Sequence, residues 1–167
     1  MVDYASMMKD ALQIRKFIPT DLETLRHITV ASFGGVALDQ ILEDRLGRWD
    51  ESRDWKTRKA EHIDEDCRVN PEGVFVAVLN EEIVGYITTR VDLLNSRGRI
   101  PNMAVTEAAR GMGLGRRLIH HALDYFRDLG LNVAQIETMA SNAIGQHLYP
   151  SCGFQEMERQ VHYAMRL

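Results

Sequence analysis

The 167-residue chain predicts a single mixed α/β domain spanning residues 1–167, and three observations predict it. An apolar run, Met103-Ala104-Val105, leads through a glycine-rich link to apolar residues at Leu114, Leu118, Ile119, Ala122 and Phe126. That is the three-and-four spacing of a helix packed on one face. Two strand-like runs, 74–79 and 83–91, are joined only by Asn80-Glu81-Glu82, a link too short for a crossover, so the pair is antiparallel. Strand and helix patterns then alternate without an internal repeat, linker or low-complexity segment, over a length sufficient for one core.

Composition narrows the class. Apolar content is 45% and the formal net charge is −4, so non-specific nucleic-acid binding is not indicated. Cys67 and Cys152 lie far apart with no metal-ligand spacing and read as reduced thiols, with no metal expected. The N-terminus lacks the apolar core of a signal peptide, and no run reaches membrane-spanning length. A cytoplasmic protein with no membrane partner is expected.

Taken in order, residues 1–10 read as a weakly helical lead-in. Residues 12–18 partly alternate apolar with polar, as a strand does, and Pro19 ends it. Thr20, with Glu23 three residues on, forms a capping-box pattern before a helix with Leu22, Leu25 and Ile28 on its buried stripe, stopped by Gly34-Gly35. Residues 38–66 are charged and helical, with apolar positions at Leu38, Ile41, Leu42 and Leu46. They read either as a solvated face with local ion pairs or as a substrate-facing lid with an acidic rim. Asn70-Pro71-Glu72-Gly73 is a turn, the hairpin follows, and 95–98 is a loop. Residues 99–105 form the central strand, whose Pro101 belongs at its start or at a bulge. Gly130 stops the central helix. A strand over 132–138, a short helix capped by Ser141-Asn142 and ended near Leu148 by Pro150, and two short strands at 153–157 and 161–165 complete the chain.

The glycine-rich link carries the chemistry. Gly111, Gly113 and Gly115 leave backbone N–H groups uncovered by side chains, and they open a helix whose first N–H groups lack internal partners. With the positive dipole end facing outward, such a turn binds phosphate. Arg110, Arg116 and Arg117 add positive charge. No Gly-Lys-Ser/Thr closes the loop, so it is not a P-loop, and the glycine spacing is not that of a dinucleotide fingerprint.

The segment Arg110-x-x-Gly113-x-Gly115 resembles the acyl-CoA-binding motif of the GNAT superfamily of N-acetyltransferases. Downstream, Asn142, Tyr149, Gly153 and Phe154 fall on a second motif of that superfamily, and the hairpin at 78–86 resembles its second and third strands. The resemblance covers residues 12 to 167. It departs from the family at Gly145, where alanine is common, and at Pro150, which biases Tyr149 away from helical dihedrals.

The resemblance implies a mixed sheet splayed at its centre and flanked by helices, with acetyl-CoA as co-substrate. Its pantetheine arm would lie along Met103, Ala104 and Val105, with Asn142 holding a pantetheine amide. Its pyrophosphate would rest on Gly111, Met112, Gly113, Leu114, Gly115 and Arg116, beside Arg110. A small-molecule or peptide amine acceptor would arrive from the opposite side. Direct attack would create an oxyanion met by the N–H of Val105 or its neighbour. Tyr149 is the candidate acid for the departing thiolate. Glu137 and Glu107 are candidate bases, each alternatively an ordinary surface carboxylate. His120 and His121 read as packing residues, and Cys152 as a core or rim thiol. A non-catalytic acyl-CoA-binding regulatory module of the same fold is the alternative reading. A homodimer is compatible with the chain but marked by no specific pattern.

Overall fold

The computed structural model describes residues 12–167; the lead-in expected at 1–10 lies outside them. Strands β1 (Leu12–Lys16), β2 (Phe75–Leu79), β3 (Glu82–Ile87) and β6 (Met103–Val105) form one antiparallel sheet in the order β1-β2-β3-β6. A second sheet, ordered β4-β5-β7, contains β4 (Arg90–Asp92), β5 (Arg97–Ile100) and β7 (Val133–Ile136). Here β5 pairs antiparallel with β4 and parallel with β7.

Alternation along the strands sorts side chains onto two faces. Val76, Tyr86 and Ala104 meet Leu25 and Ile28 of α1 (Leu22–Ser32) and Ile63 and Cys67 of α3 (Trp55–Val69). Phe75, Ala77 and Ile87 face Leu118, Ile119, Ala122 and Phe126 of α4 (Leu114–Asp128). The stripe expected on the central helix is therefore the seam of the larger core. The Tyr86 hydroxyl is wholly buried and meets the Thr29 hydroxyl at 2.6 Å.

Several expectations are corrected. The strands expected at 83–91 and 99–105 are each broken, at Thr88-Thr89 and at Pro101-Asn102. The Thr20–Glu23 capping box is replaced by a single 3₁₀ turn, Pro19–Asp21. The Asp21 carboxylate accepts from the Ile18 N–H at 2.9 Å and from Arg15 at 2.7 and 2.9 Å. Charged Arg15 makes Asp21 a stronger anchor than the neutral Thr20 hydroxyl. The charged region 38–66 holds α2 (Leu38–Leu46) and most of α3, and its acids Asp39 and Glu43 are answered by Arg58 at 3.5 and 2.6 Å.

The last helix, α5 (Ala143–Ser151), runs through Pro150 instead of stopping before it. Proline sits in the final turn, where only one helical hydrogen bond is lost. Tyr149 and Pro150 carbonyls then accept from Cys152, Gly153 and Phe154 N–H groups. The two strands expected at 153–157 and 161–165 do not form. No backbone–backbone hydrogen bond is present within 155–167 among the described residues, so the alternation there meets no partner strand.

Candidate active site

The splay is built at the two chain breaks. β5 and β7 run parallel as far as the Ile100–Ile136 pair, and β6 then continues in the other sheet. One edge of β6 is occupied by β3. Thr88 N–H donates to Asn102 O and Thr106 N–H to Val84 O, which fixes the even-numbered groups toward β3. By antiparallel alternation, the N–H and C=O groups of Met103 and Val105 point away from β3 and into the splay.

Asn102 pins this junction. Its N–H donates to Thr88 Oγ1 at 3.1 Å, its Nδ2 donates to Asp66 Oδ2 at 2.7 Å, and its Oδ1 accepts from Lys59 Nζ at 2.6 Å. Asp66 also accepts from Thr88 Oγ1 and from Arg90. Lys59 lies 4.0 Å from the Phe33 ring centroid, a cation–π contact. Burial pushes the Lys59 ammonium below its ordinary pKa, while Asp39 and Asp66 pull it back up. Sequence reading missed this network. Its signal was present in α3, where Lys59, Ile63, Asp66 and Cys67 share one buried stripe and two of the four are charged. Cys67 beside them is inert, its thiol pushed up to about 12 by burial and then by the neighbouring aspartates.

The glycine turn opens α4 beside this junction. Gly111 and Gly113 have φ of 78° and 77°, a left-handed conformation that favours glycine. A Cβ added at either meets nothing within 4 Å, so the backbone there borders open space. The N–H groups from Gly111 through Arg116 find no backbone acceptor among the described residues; the first to do so is Arg117, onto Gly113 O. Gly115 is tight for another reason: a Cβ there would lie 3.0 Å from Leu148 and 3.7 Å from Met103. This is where α4, α5 and β6 meet. Arg110 and Met112 are exposed, Leu114 is buried beneath the turn, and Arg116 donates to Ser151 O at 3.1 Å. An anionic diphosphate fits this cradle: unpaired donors, a helix N-terminus and nearby guanidinium charge.

Tyr149 sits on α5 within the α4-side core, edge-on to Phe154 with ring centroids 6.4 Å apart. Burial raises its phenol above the ordinary value, with Thr138 opposing, so it is protonated at neutral pH. Asn142 caps α5: its Oδ1 accepts from Gly145 N–H and its Nδ2 donates to Thr138 Oγ1. Helix propensity alone would favour alanine over Gly145, but the surroundings do not. A Cβ there would lie 2.9 Å from Thr138, 3.0 Å from Asn142 and 3.2 Å from Tyr149, so close packing requires glycine. Glu137, just beyond β7, is exposed, paired with Arg99 at 2.8 Å and bonded by Gln135. Glu107 is exposed in the 3₁₀ turn after β6. His121 packs edge-on against Phe75 and His120 is exposed. Cys152 packs at the core margin. The structure thus gathers residues 103–105, the glycine turn and α5 at one junction, while Glu107 and Glu137 lie on its surface.

Comparison with known proteins accords with this geometry. Residues 37–154 match the Acetyltransferase (GNAT) family. The mycothiol acetyltransferase of Tsukamurella paurometabola is 28% identical over 98% of the chain, which matches 55% of that protein. The streptothricin acetyltransferase of Streptomyces lavendulae is 33% identical over 57% of the chain and 48% of its own length. The chain spans about half the length of the mycothiol acetyltransferases it matches first. Among solved structures, the PaiA N-acetyltransferase of Thermoplasma acidophilum in complex with coenzyme A superposes with a TM-score of 0.72 at 16% identity, covering 89% of this chain and 92% of that one. The ribosomal-protein-S18-alanine N-acetyltransferase of Escherichia coli gives 0.61 at 23% identity, covering 88% and 79%. The chain belongs to the GNAT family of acetyltransferases, and its fold is that family's splayed mixed sheet flanked by helices.

Proposed function

We propose that the protein transfers an acetyl group from acetyl-CoA to a primary amine by direct attack in a ternary complex. The observation that carries this reading is the run of unpaired N–H groups from Gly111 through Arg116, set beside the open edge of β6. The turn holds the pyrophosphate, and the free groups of Met103 and Val105 align the pantetheine arm as a neighbouring strand would be aligned.

The acceptor nitrogen attacks the thioester carbonyl carbon. A C–N bond forms, and the Val105 or Met103 N–H steadies the charge that develops on oxygen. Glu137, Glu107 or a water chain removes the proton from nitrogen. As the C–S bond breaks, its electron pair stays on sulfur, and Tyr149 supplies the proton that yields free CoA. Cys152 has no part in this scheme, and no acyl-enzyme forms. The relatives' names divide between mycothiol, streptothricin and a ribosomal-protein alanine, so the acceptor is not carried over from any of them.

The test combines binding and turnover. Calorimetry should show acetyl-CoA affinity falling about tenfold, or about 1.4 kcal/mol, in Gly113→Val. An amine panel followed by free-thiol release should identify an acceptor. Unchanged affinity in the folded variant would remove the phosphate placement. A stoichiometric acetyl adduct on Cys152, seen by intact mass after incubation with acetyl-CoA alone, would replace direct attack by a two-step route.

A further inference from the structure

Resting on the transferase reading, the structure assigns a class to the acceptor: we infer that it carries a carboxylate or phosphate in addition to its amine. The anion is held by Arg90, Arg97 and Arg99 on the open face of the β4-β5-β7 sheet. Gly98 and Ile100 of β5 face α4, since a Cβ on Gly98 would lie 2.6 Å from the Phe126 ring and Ile100 is buried in that core. Alternation then puts Arg97 and Arg99 on the opposite face. Arg90 lies directly across from Arg99, and Asp92 across from Arg97. These side chains, with Gln135 and Glu137, border a cavity of about 300 Å³.

Like charges directly opposite on paired strands are destabilising, yet Arg90 and Arg99 occupy such a pair. Their acids lie to either side: Asp66 beneath Arg90 at 2.8 Å, and Glu137 beside Arg99 at 2.8 Å. Arg97 is answered less closely, by Asp92 across the strand pair. Its approach to Asp92 is 3.6 Å, beyond hydrogen-bond distance, and its guanidinium makes no hydrogen bond among the described residues. Half-exposed, it presents a planar fork of donors to the cavity, the geometry suited to a carboxylate or phosphate.

The location connects this face to the chemistry. β5 runs directly into Pro101-Asn102 and β6, and β7 runs into Glu137. The α4 side carries the phosphate cradle, so the opposite face is the acceptor's approach. An anion near Arg97 and Arg99 leaves the acceptor's amine directed along β5 toward the splay, past the Glu137 carboxylate. Two cations opposed across a strand pair, plus a third only loosely paired with Asp92, make this face a poor seat for a polycationic acceptor.

The experiment compares matched acceptors with acetyl-CoA, following free thiol: phosphoethanolamine against ethanolamine, β-alanine against β-alaninamide, and the peptide Ser-Glu-Glu against Ser-Gln-Gln, with spermidine as a polycation. The anionic member of at least one pair should show kcat/KM about tenfold above its neutral twin. The phosphate and carboxylate pairs separate the two anion sources. Arg97→Gln should bring that ratio toward one, Arg97→Lys should retain part of it, and raising the salt from about 0.05 to about 0.5 M should compress it. Equal turnover within every pair, or spermidine outrunning all anionic acceptors, overturns the inference while leaving the transferase reading intact. Failure of acetyl-CoA to bind the native protein overturns both.

Discussion

Replacing Asn102 by leucine tests the junction between the two sheets, because Leu keeps the branched shape and removes both side-chain hydrogen bonds. The lost partners are the Lys59 ammonium at 2.6 Å and the Asp66 carboxylate at 2.7 Å, both on buried residues. A hydrogen bond to a charged group contributes about 1.5–3 kcal/mol. Asp66 keeps Thr88 and Arg90, so its loss falls at the low end. Lys59 loses its only hydrogen-bond acceptor among the described residues and keeps the Phe33 ring, so its loss falls at the high end. Together the variant should lose about 4.5 kcal/mol, a fall in Tm of about 9–18 °C for a chain of this size.

Urea melts measure this loss, and a second variant locates its origin. Most of the cost should arise from leaving a charge buried without a partner, not from the bond itself. Adding Lys59→Met to the Asn102→Leu background should therefore recover at least about 1 kcal/mol. A loss below about 1 kcal/mol in Asn102→Leu, or a double variant as unstable as the sum of the singles, refutes the reasoning.

Other perturbations have definite directions. Gly145→Ala should lower stability instead of giving the usual gain of about 1 kcal/mol in a helix, because its Cβ would crowd Thr138, Asn142 and Tyr149; a raised Tm would show that α5 has room to move. Burial alone would raise the Asp21 carboxyl, but Arg15 and the Ile18 N–H outweigh it and hold its folded pKa below the unfolded value. Its contribution is present above the unfolded pKa of about 3.9 and is lost as pH falls through the lower folded value. The stability gap between native protein and Asp21→Asn should therefore narrow on acidification; a constant gap from pH 6 downwards would contradict this. Tyr149→Phe keeps the ring and removes the proton, so kcat should fall about 10²-fold with acetyl-CoA affinity unchanged. An undiminished kcat, with the chemical step shown to be rate-limiting, would make Tyr149 structural.

Much of the candidate site's local geometry was legible because it depends on local backbone chemistry. Three glycines in five residues ahead of an amphipathic helix state where free N–H groups will lie, and the structure shows them at Gly111 through Arg116. Asn142 was legible for the same reason, since a cap acts within three residues. The Asn102–Asp66–Lys59 network was not, because its members come from separate elements and a charged residue on a helix ordinarily signals solvent. Glycine at 145 runs against propensity, a single-helix quantity, while its neighbours across the packing leave little room for a Cβ.

The two broken strands show what the sequence pattern alone omits. Residues 83–91 and 99–105 each look like one strand, since Thr88, Thr89 and Asn102 do not interrupt a run as a turn would. Yet both strands cross between the two sheets at the same level, where β3 gives way to β4 and β5 gives way to β6. There the Thr88 N–H bonds to Asn102 O, while the Thr88 and Asn102 side chains both turn inward to Asp66. A buried carboxylate needs several donors, and an uninterrupted ladder offers it none from the strand backbone. Breaking both strands at one level lets Thr88, Asn102 and Arg90 converge on Asp66. The same break turns β6 out of line with β5, which keeps the Met103 and Val105 edge unpaired. On this reasoning the polar knot beneath the sheet and the opening above it are one feature, and the hydrogen bonds that buried Asp66 and Lys59 require hold open the splay that the proposed transfer would use.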